Sequence, residues 1–174
     1  MRSDILIIGG GIVGSAIAYF LSRSGKVGSI AVIEPDPTYE FAATPYANGG
    51  IRQLFSLPEN ILMAQFGLEF FGDFSTLMST GELDPDIGFR RRGYLFLSDA
   101  GDHATMEQNY SLQSSMGARV DLLDKGALED RFPSINTGGI DLAVHSPDDA
   151  WINPHAALMG FRDKARSLGV SYIK

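Results

Sequence analysis

The chain has 174 residues, 44% hydrophobic and 20% charged, which suits one substantial core, or one domain with a large insertion, and excludes a disordered chain. A formal net charge of −7 argues against a nucleic-acid partner, because the one basic run, Arg90-Arg91-Arg92, is too short to form a binding face. With no cysteine, the sequence excludes disulfides, thiolate metal sites and cysteine nucleophiles within it.

The first predicted element is a strand, Ile5-Leu6-Ile7-Ile8, which runs into Gly9-Gly10-Gly11-Ile12-Val13-Gly14 and then a helical pattern that reaches at least Ala18. Gly9 permits the tight turn off the strand. Gly11 lets the backbone approach a pyrophosphate, and Gly14 lets the helix pack closely on the sheet. The first helical turn, with Ile12 and Val13, points unpaired N–H groups and the positive dipole end at the phosphates, so no Lys or Arg is needed there. A second strand, Ile30 to Ile33, ends in Glu34, twenty residues beyond Gly14, where a dinucleotide unit needs an acid for the ribose hydroxyls. The acid also disfavours a 2′-phosphate. These residues alone leave FAD and NAD both open, with a ligand-free glycine turn as the bland reading. The apolar start is too short and glycine-broken to span a membrane and lacks signal-peptide features, so a cytoplasmic protein with no integral membrane segment is expected.

A loop rich in Pro, Thr, Ala, Asn and Gly follows from Pro35 to about Pro58. One helix is predicted over Glu59 to Met78, with Leu62, Phe66, Phe70 and Leu77 on one side. Phe89 to Leu97 reads as a strand broken near Gly93. A polar helix (Ala100 to Ser115), a strand (Arg119 to Leu123), a short helix (Lys125 to Arg131) and an alternating run (Ile140 to His145) complete an inserted mixed α/β region. The helix Asn153 to Ser167, with Leu158, Phe161 and Ala165 inward, then leads to Val170-Ser171-Tyr172-Ile173, a delayed return to the nucleotide sheet. Three parallel strands near Ile5, Ala31 and Ser171 are therefore expected. His103, His145 and His155 lack metal-ligand spacing and are expected as surface or capping residues, so no metal is assigned. An insertion straight after the ribose-binding strand shifts the balance toward a flavin, because it puts a substrate lobe beside the isoalloxazine end of an extended FAD.

Four stretches, Asp4 to Gly14, Ala31 to Pro35, Thr44 to Gln53 and Trp151 to His155, make the chain resemble the FAD-dependent oxidoreductases of the D-amino-acid oxidase, sarcosine oxidase and glycine oxidase superfamily along essentially its whole length. Ala47 to Asn60 is similar in particular to the branch of FAD-dependent oxidoreductase domain-containing proteins. The resemblance implies an α/β fold: an FAD-binding Rossmann-type domain, here a three-stranded parallel portion at 1–57 and 147–174, with an inserted α+β substrate lobe at 58–146. It also implies truncation, since the later half of such proteins supplies further strands, flavin contacts and much of the substrate pocket; Phe70, Phe71 or Phe74 is then expected to be uncovered.

By the same resemblance Gly9, Gly11, Gly14 and Glu34 would hold the ADP half of FAD. Ala43, Thr44 and the Asn48-Gly49-Gly50 turn would approach the pyrophosphate and flavin ring. Arg52 would lie near the flavin or a substrate carboxylate, against the plain alternative of an ordinary ion pair. Tyr46 stands about where relatives with histidyl-linked FAD carry the histidine, so that linkage is not expected. Tyr46, Tyr94 and Trp151 are candidates for a pocket lining, although aromatics serve cores more often. The implied reaction is oxidation of an amine or amino acid at the carbon bearing nitrogen, with hydride transfer to flavin, an imine that water hydrolyses and an electron acceptor left open. A hydroxy acid or an N-methyl amino acid fits the same pattern. Two alternatives stand beside it: a non-catalytic assembly or chaperone-like factor on the FAD fold, and an NAD-dependent dehydrogenase.

Overall fold

A computed structural model gives the fold, and the structure describes residues 2–82 and 84–174. In chain order the elements are β1 (Ile5–Ile8), α1 (Ile12–Ser24), β2 (Ile30–Ile33), β3 (Gly50–Ile51), α2 (Pro58–Gly72), α3 (Phe74–Met78), β4 (Arg90–Arg91), β5 (Tyr94–Ser98), α4 (His103–Ser115), β6 (Asp121–Asp124), α5 (Lys125–Arg131), β7 (Leu142–Ser146), β8 (Ala150–Trp151), α6 (Pro154–Ser167) and β9 (Ser171–Ile173). They form two compact units. The first comprises Met1–Gly49, Asp73–Phe89 and Ile152–Lys174, and the second Gly50–Gly72 and Arg90–Trp151.

The first unit is built on a parallel sheet in the order β1-β2-β9, with Ile5 opposite Ile30 and Ala31 opposite Ser171, as the apolar runs predict. Parallel strands need crossovers, and α1 supplies the one between β1 and β2. This helix begins at Gly11 and stops at Gly25, whose φ of 63° is the left-handed conformation that ends helices. Asn153 caps α6 by accepting from the Ala156 N–H at 3.1 Å, and Pro154 occupies the first turn, where its missing N–H costs nothing. The helices α1 and α6 pack together, with the ring centroids of Tyr19 and Phe161 5.8 Å apart, and Ala18, Ala157, Leu158 and Ala165 on them are buried too. Phe74 of α3 meets Phe161 edge to face, with centroids 5.2 Å apart. Its Cζ lies 2.9 Å from where a Gly160 Cβ would stand, so only glycine at 160 lets α3 approach α6.

The second unit contains two antiparallel sheets, β5-β7-β6 and β3-β8-β4. Gly93, at φ 76°, makes the expected break between β4 and β5. The alternation read at Ile140 to His145 does not become a half-exposed strand: β7 is the central strand, and all five of its residues are buried. His145 is therefore not a surface or capping residue. Its ring packs against Phe132 at 5.3 Å, and Nδ1 lies 3.5 Å from Asp121 Oδ2. Leu123, Leu128 and Ala143 form a core cluster here. The strand expected at Arg119 to Leu123 occupies Asp121–Asp124, and the polar helix starts with a 3-10 turn, Ala100–Asp102, before α4. The two-residue strands β3 and β8 were not foreseen.

The single helix expected over Glu59 to Met78 is two. Gly72 ends α2, and Asp73, at φ −100° and ψ 10°, precedes α3; the first piece belongs to the second unit and the second piece to the first. The expected inner face is also wrong in part. Leu62 and Phe66 are 55% and 57% exposed, whereas Ile61, Ala64, Leu68 and Phe70 are buried. Apolar residues surround α2, so its sequence carries no single stripe from which to choose a face. Of the three phenylalanines of which one is expected to be uncovered, Phe70 and Phe74 are buried, and Phe71 is half-buried.

Candidate functional site

The first unit assembles the glycine turn and its acid. Gly9 has φ 96° and its N–H donates to Ile33 O at 2.9 Å; the Glu34 N–H donates to Ile173 O at 2.8 Å, so turn and acid both hang from the sheet. A Cβ on Gly14 would overlap the Gly9 carbonyl oxygen, which explains the glycine at the helix–strand contact. Glu34 Oε2 accepts from the Gly10 N–H at 2.8 Å and Oε1 from the Asp36 N–H at 3.0 Å. A carboxylate has about four acceptor positions, so this one keeps capacity for ribose hydroxyls.

At the start of α1, Thr44 Oγ1 accepts from the Ile12 N–H at 3.3 Å. Among the described residues no side chain accepts from the N–H of Val13 or Gly14, and no acid sits in the first turn. The positive helix end with its free donors suits a pyrophosphate. Next to Gly11 the position of an absent Cβ has only Thr44 Oγ1 near it, at 3.7 Å, so the glycine leaves a shallow cradle that a larger residue would fill. These features fit the ADP half of a dinucleotide. Ala43 and Asn48 are exposed in the same unit, and no hydrogen bond ties them to the turn. Gly49 has φ 75°, and its carbonyl accepts from the Ile152 N–H at 3.0 Å.

The turn has supports that its motif does not advertise. The Tyr172 hydroxyl on β9 donates to Ser15 Oγ at 3.0 Å, and Ser15 Oγ donates to Gly10 O at 2.8 Å. Ser15 is fully buried, and burial raises the Tyr172 phenol above its ordinary value. Tyr39 is buried at the left-handed φ of 59°, with the Arg162 guanidinium 5.9 Å from its ring centroid. Tyr39, Tyr172, Arg162 and Glu34 line a small cleft of ≈ 150 Å³. Only a serine directly after the last motif glycine hinted at any of this.

Gly50 and Arg52 belong to the second unit. A Cβ on Gly50 would overlap the Tyr94 hydroxyl, so the glycine there has a packing reason of its own. The Arg52 guanidinium carbon lies 5.3 Å from the Phe55 ring centroid and 5.5 Å from that of Phe96. Among the described residues no carboxylate pairs with Arg52, so the ion-pair alternative has no partner in the structure. Arg52 opens onto a pocket of ≈ 540 Å³ lined with Phe55, Met63 and Phe71. Of the aromatics considered from the sequence, Tyr94 and Trp151 are not in that lining, and Tyr46, in the first unit, donates its hydroxyl to Glu40 O at 3.0 Å.

Directly after Arg52, Gln53 donates its N–H (3.1 Å) and its side-chain Nε2 (3.3 Å) to Asp149 Oδ1, which also accepts from Ser146 Oγ at 2.8 Å. Asp149 is fully buried and its Oδ2 has no partner; burial, opposed by these hydrogen bonds, raises its carboxyl above 3.8. An acid in the run Pro147-Asp148-Asp149 reads as a solvated turn, which hid this network.

The turn, its acid and the delayed return strand define a dinucleotide-binding oxidoreductase fold. Residues 4–174 match the FAD dependent oxidoreductase family, and the chain belongs to it. FAD is thus its cofactor, which decides against the nicotinamide alternative. The chain is 41% identical over 175 residues to FAD-dependent oxidoreductase domain-containing protein 1 of Xenopus laevis, a match covering 97% of this chain and 35% of that protein. It is 26% identical to 4-methylaminobutanoate oxidase (formaldehyde-forming) of Paenarthrobacter nicotinovorans, over 94% of this chain and 19% of that one. Among solved structures, L-proline dehydrogenase of P. horikoshii superposes with a TM-score of 0.84 at 28% identity, covering 99% of this chain and 44% of that chain. The chain thus spans about a third of the length of its domain-containing relatives. Among the described residues no helix is long and apolar enough to cross a membrane.

Proposed function

We propose that this chain is part of an FAD-dependent oxidoreductase that oxidises the C–N bond of an amine or amino acid. The observation that carries the reading is the Arg52 guanidinium, held beside two phenyl rings without a carboxylate partner, in a family whose cofactor is FAD. The names of two similar proteins support it. L-proline and 4-methylaminobutanoate are both secondary amines that carry a carboxylate.

FAD, when bound, supplies the two-electron acceptor. The chain's residues do the holding. The N–H groups of Val13 and Gly14 would face the pyrophosphate, Glu34 would accept from the ribose hydroxyls, and Gly11 would leave room for the approach. Ala43, Thr44, Asn48 and Gly49 would flank the pyrophosphate, with Thr44 Oγ1 also accepting from the Ile12 N–H. Arg52 takes the substrate carboxylate in two-point fashion and fixes the direction of the C–N bond.

The test is anaerobic reduction of the flavin-loaded product of the complete reading frame by secondary amino acids, primary amino acids and 2-hydroxy acids in parallel. Bleaching of the flavin band by amines, with release of a carbonyl product, is expected. Bleaching by hydroxy acids alone would sink the reading. A second reading, a non-catalytic assembly factor, draws on Leu62, Met63 and Phe66 of α2, which are 55%, 63% and 57% exposed. FAD retention with no reduction by any amine would favour it.

A further inference from the structure

The lining of the Arg52 pocket specifies more than a carboxylate. Its other side chains include Ile51, Phe55, Met63 and Phe71, and among the described residues its polar side chains are Arg52 and Asn60. Among the described residues that line it, none is an acid that could pair with a cationic substrate side chain. A volume of ≈ 540 Å³ lies within the range of small-molecule pockets and far exceeds the ~30 Å³ share of one water molecule, so a glycine-sized ligand would leave most of it wet. The rings of Phe55 and Phe96 flank the exposed Arg52 guanidinium and hold it by cation–π contact, which leaves its N–H edge as the attachment point for a carboxylate.

We infer that this pocket selects carboxylates with a bulky apolar side chain, with Arg52 as the anchor and Phe55, Met63 and Phe71 as the surface that receives the side chain. The inference rests on the reading of Arg52 as the carboxylate clamp and adds the class of side chain. Acetate, basic amino acids and short polar acids are poor ligands on this account. Met63, itself 63% exposed, is the specificity residue most open to change without harm to the core.

Calorimetric titration of the flavin-loaded product of the complete reading frame with acetate, 3-phenylpropanoate and neutral 3-phenylpropanamide tests this. Burying a phenyl group should make 3-phenylpropanoate bind about tenfold or more tighter than acetate, and tighter than the amide. Arg52→Met should reduce the acid to the level of the amide. Met63→Ser should weaken 3-phenylpropanoate and leave acetate unchanged; both positions are exposed, so both variants should fold. Equal binding of acetate and 3-phenylpropanoate would overturn the apolar selectivity while leaving the carboxylate clamp standing. Equal binding of acid and amide, or no binding of either acid, would overturn the clamp and the selectivity together.

Discussion

The Gly10 N–H donates to Glu34 Oε2 at 2.8 Å, so the acid at the end of β2 is fixed against the glycine turn by the chain itself. Its orientation costs nothing further when a ribose arrives. Removing it should therefore act on nucleotides that carry the adenosine ribose and spare those that lack it. Glu34→Ala is expected to weaken FAD and ADP by at least tenfold, the worth of about one charge-assisted hydrogen bond of ~1.5–3 kcal/mol, while FMN affinity changes little. Equilibrium dialysis against the three ligands decides it; an equal loss for FMN would point to general collapse of the turn.

A methyl group at Gly14 would overlap the Gly9 carbonyl oxygen, and both are backbone positions with little freedom to yield. Gly14→Ala should destabilise the chain by about 1–3 kcal/mol in urea, as overpacking of a close contact does. Ser15→Ala removes the donor to Gly10 O and the acceptor of the Tyr172 hydroxyl, and should cost about 1–3 kcal/mol for the buried groups left unpaired. Tyr172→Phe should cost less, because Ser15 keeps its bond to Gly10. A larger effect from Tyr172→Phe than from Ser15→Ala would reverse the order of support proposed for the turn.

Asp149 makes a pH-dependent contribution of unusual sign for an acid. Burial raises its carboxyl above the ordinary 3.8, so the folded chain holds this proton more tightly than the unfolded chain does. The associated stability is fully present below 3.8 and is lost as pH rises through the folded value. Asp121, lowered by its hydrogen bond from Arg131, contributes with the opposite sign, so the test must be differential. Asp149→Asn should gain stability relative to the parent as pH rises from 4 to 7 (about the range in which carboxylates titrate), and urea midpoints across that range measure it. Asp149→Ala strips the acceptor from Gln53 and Ser146 and should destabilise at every pH.

The residues that disclosed themselves in the sequence are those whose job is backbone geometry or strand formation. Ile5–Ile8 and Ile30–Ile33 are apolar runs, Ser171–Ile173 follows a helix and the left-handed Gly169, and all three form the parallel sheet expected of them. The spacing from Gly14 to Glu34 reflects one helix and one strand of fixed length. What stayed hidden depends on tertiary context. The face of α2 could not be read because residues on every side of it are apolar, and β3 and β8 are too short to show a period. Asp149 has the neighbours of a surface turn and lies in the interior.

Gly50 shows how one glycine can be required for a reason other than the one its motif suggests. Its missing side chain is replaced by Tyr94, whose hydroxyl would overlap a Gly50 Cβ and whose Cζ would lie 2.8 Å away. Gly50 also lies in β3, opposite Trp151, so its backbone is held by the ladder and the ring must give way. Gly50→Ala should therefore destabilise by about 1–3 kcal/mol. Tyr94→Phe removes the nearest atom and leaves the ring carbon close, so it should recover part of that loss and no more. Tyr94→Ala removes the whole obstruction, and against that background the Gly50→Ala penalty should largely disappear, the difference being the coupling energy between the two sites. A double-mutant cycle by urea unfolding gives the coupling directly. An undiminished Gly50→Ala penalty in the Tyr94→Ala background would mean that a contact within the fold other than Tyr94 requires the glycine.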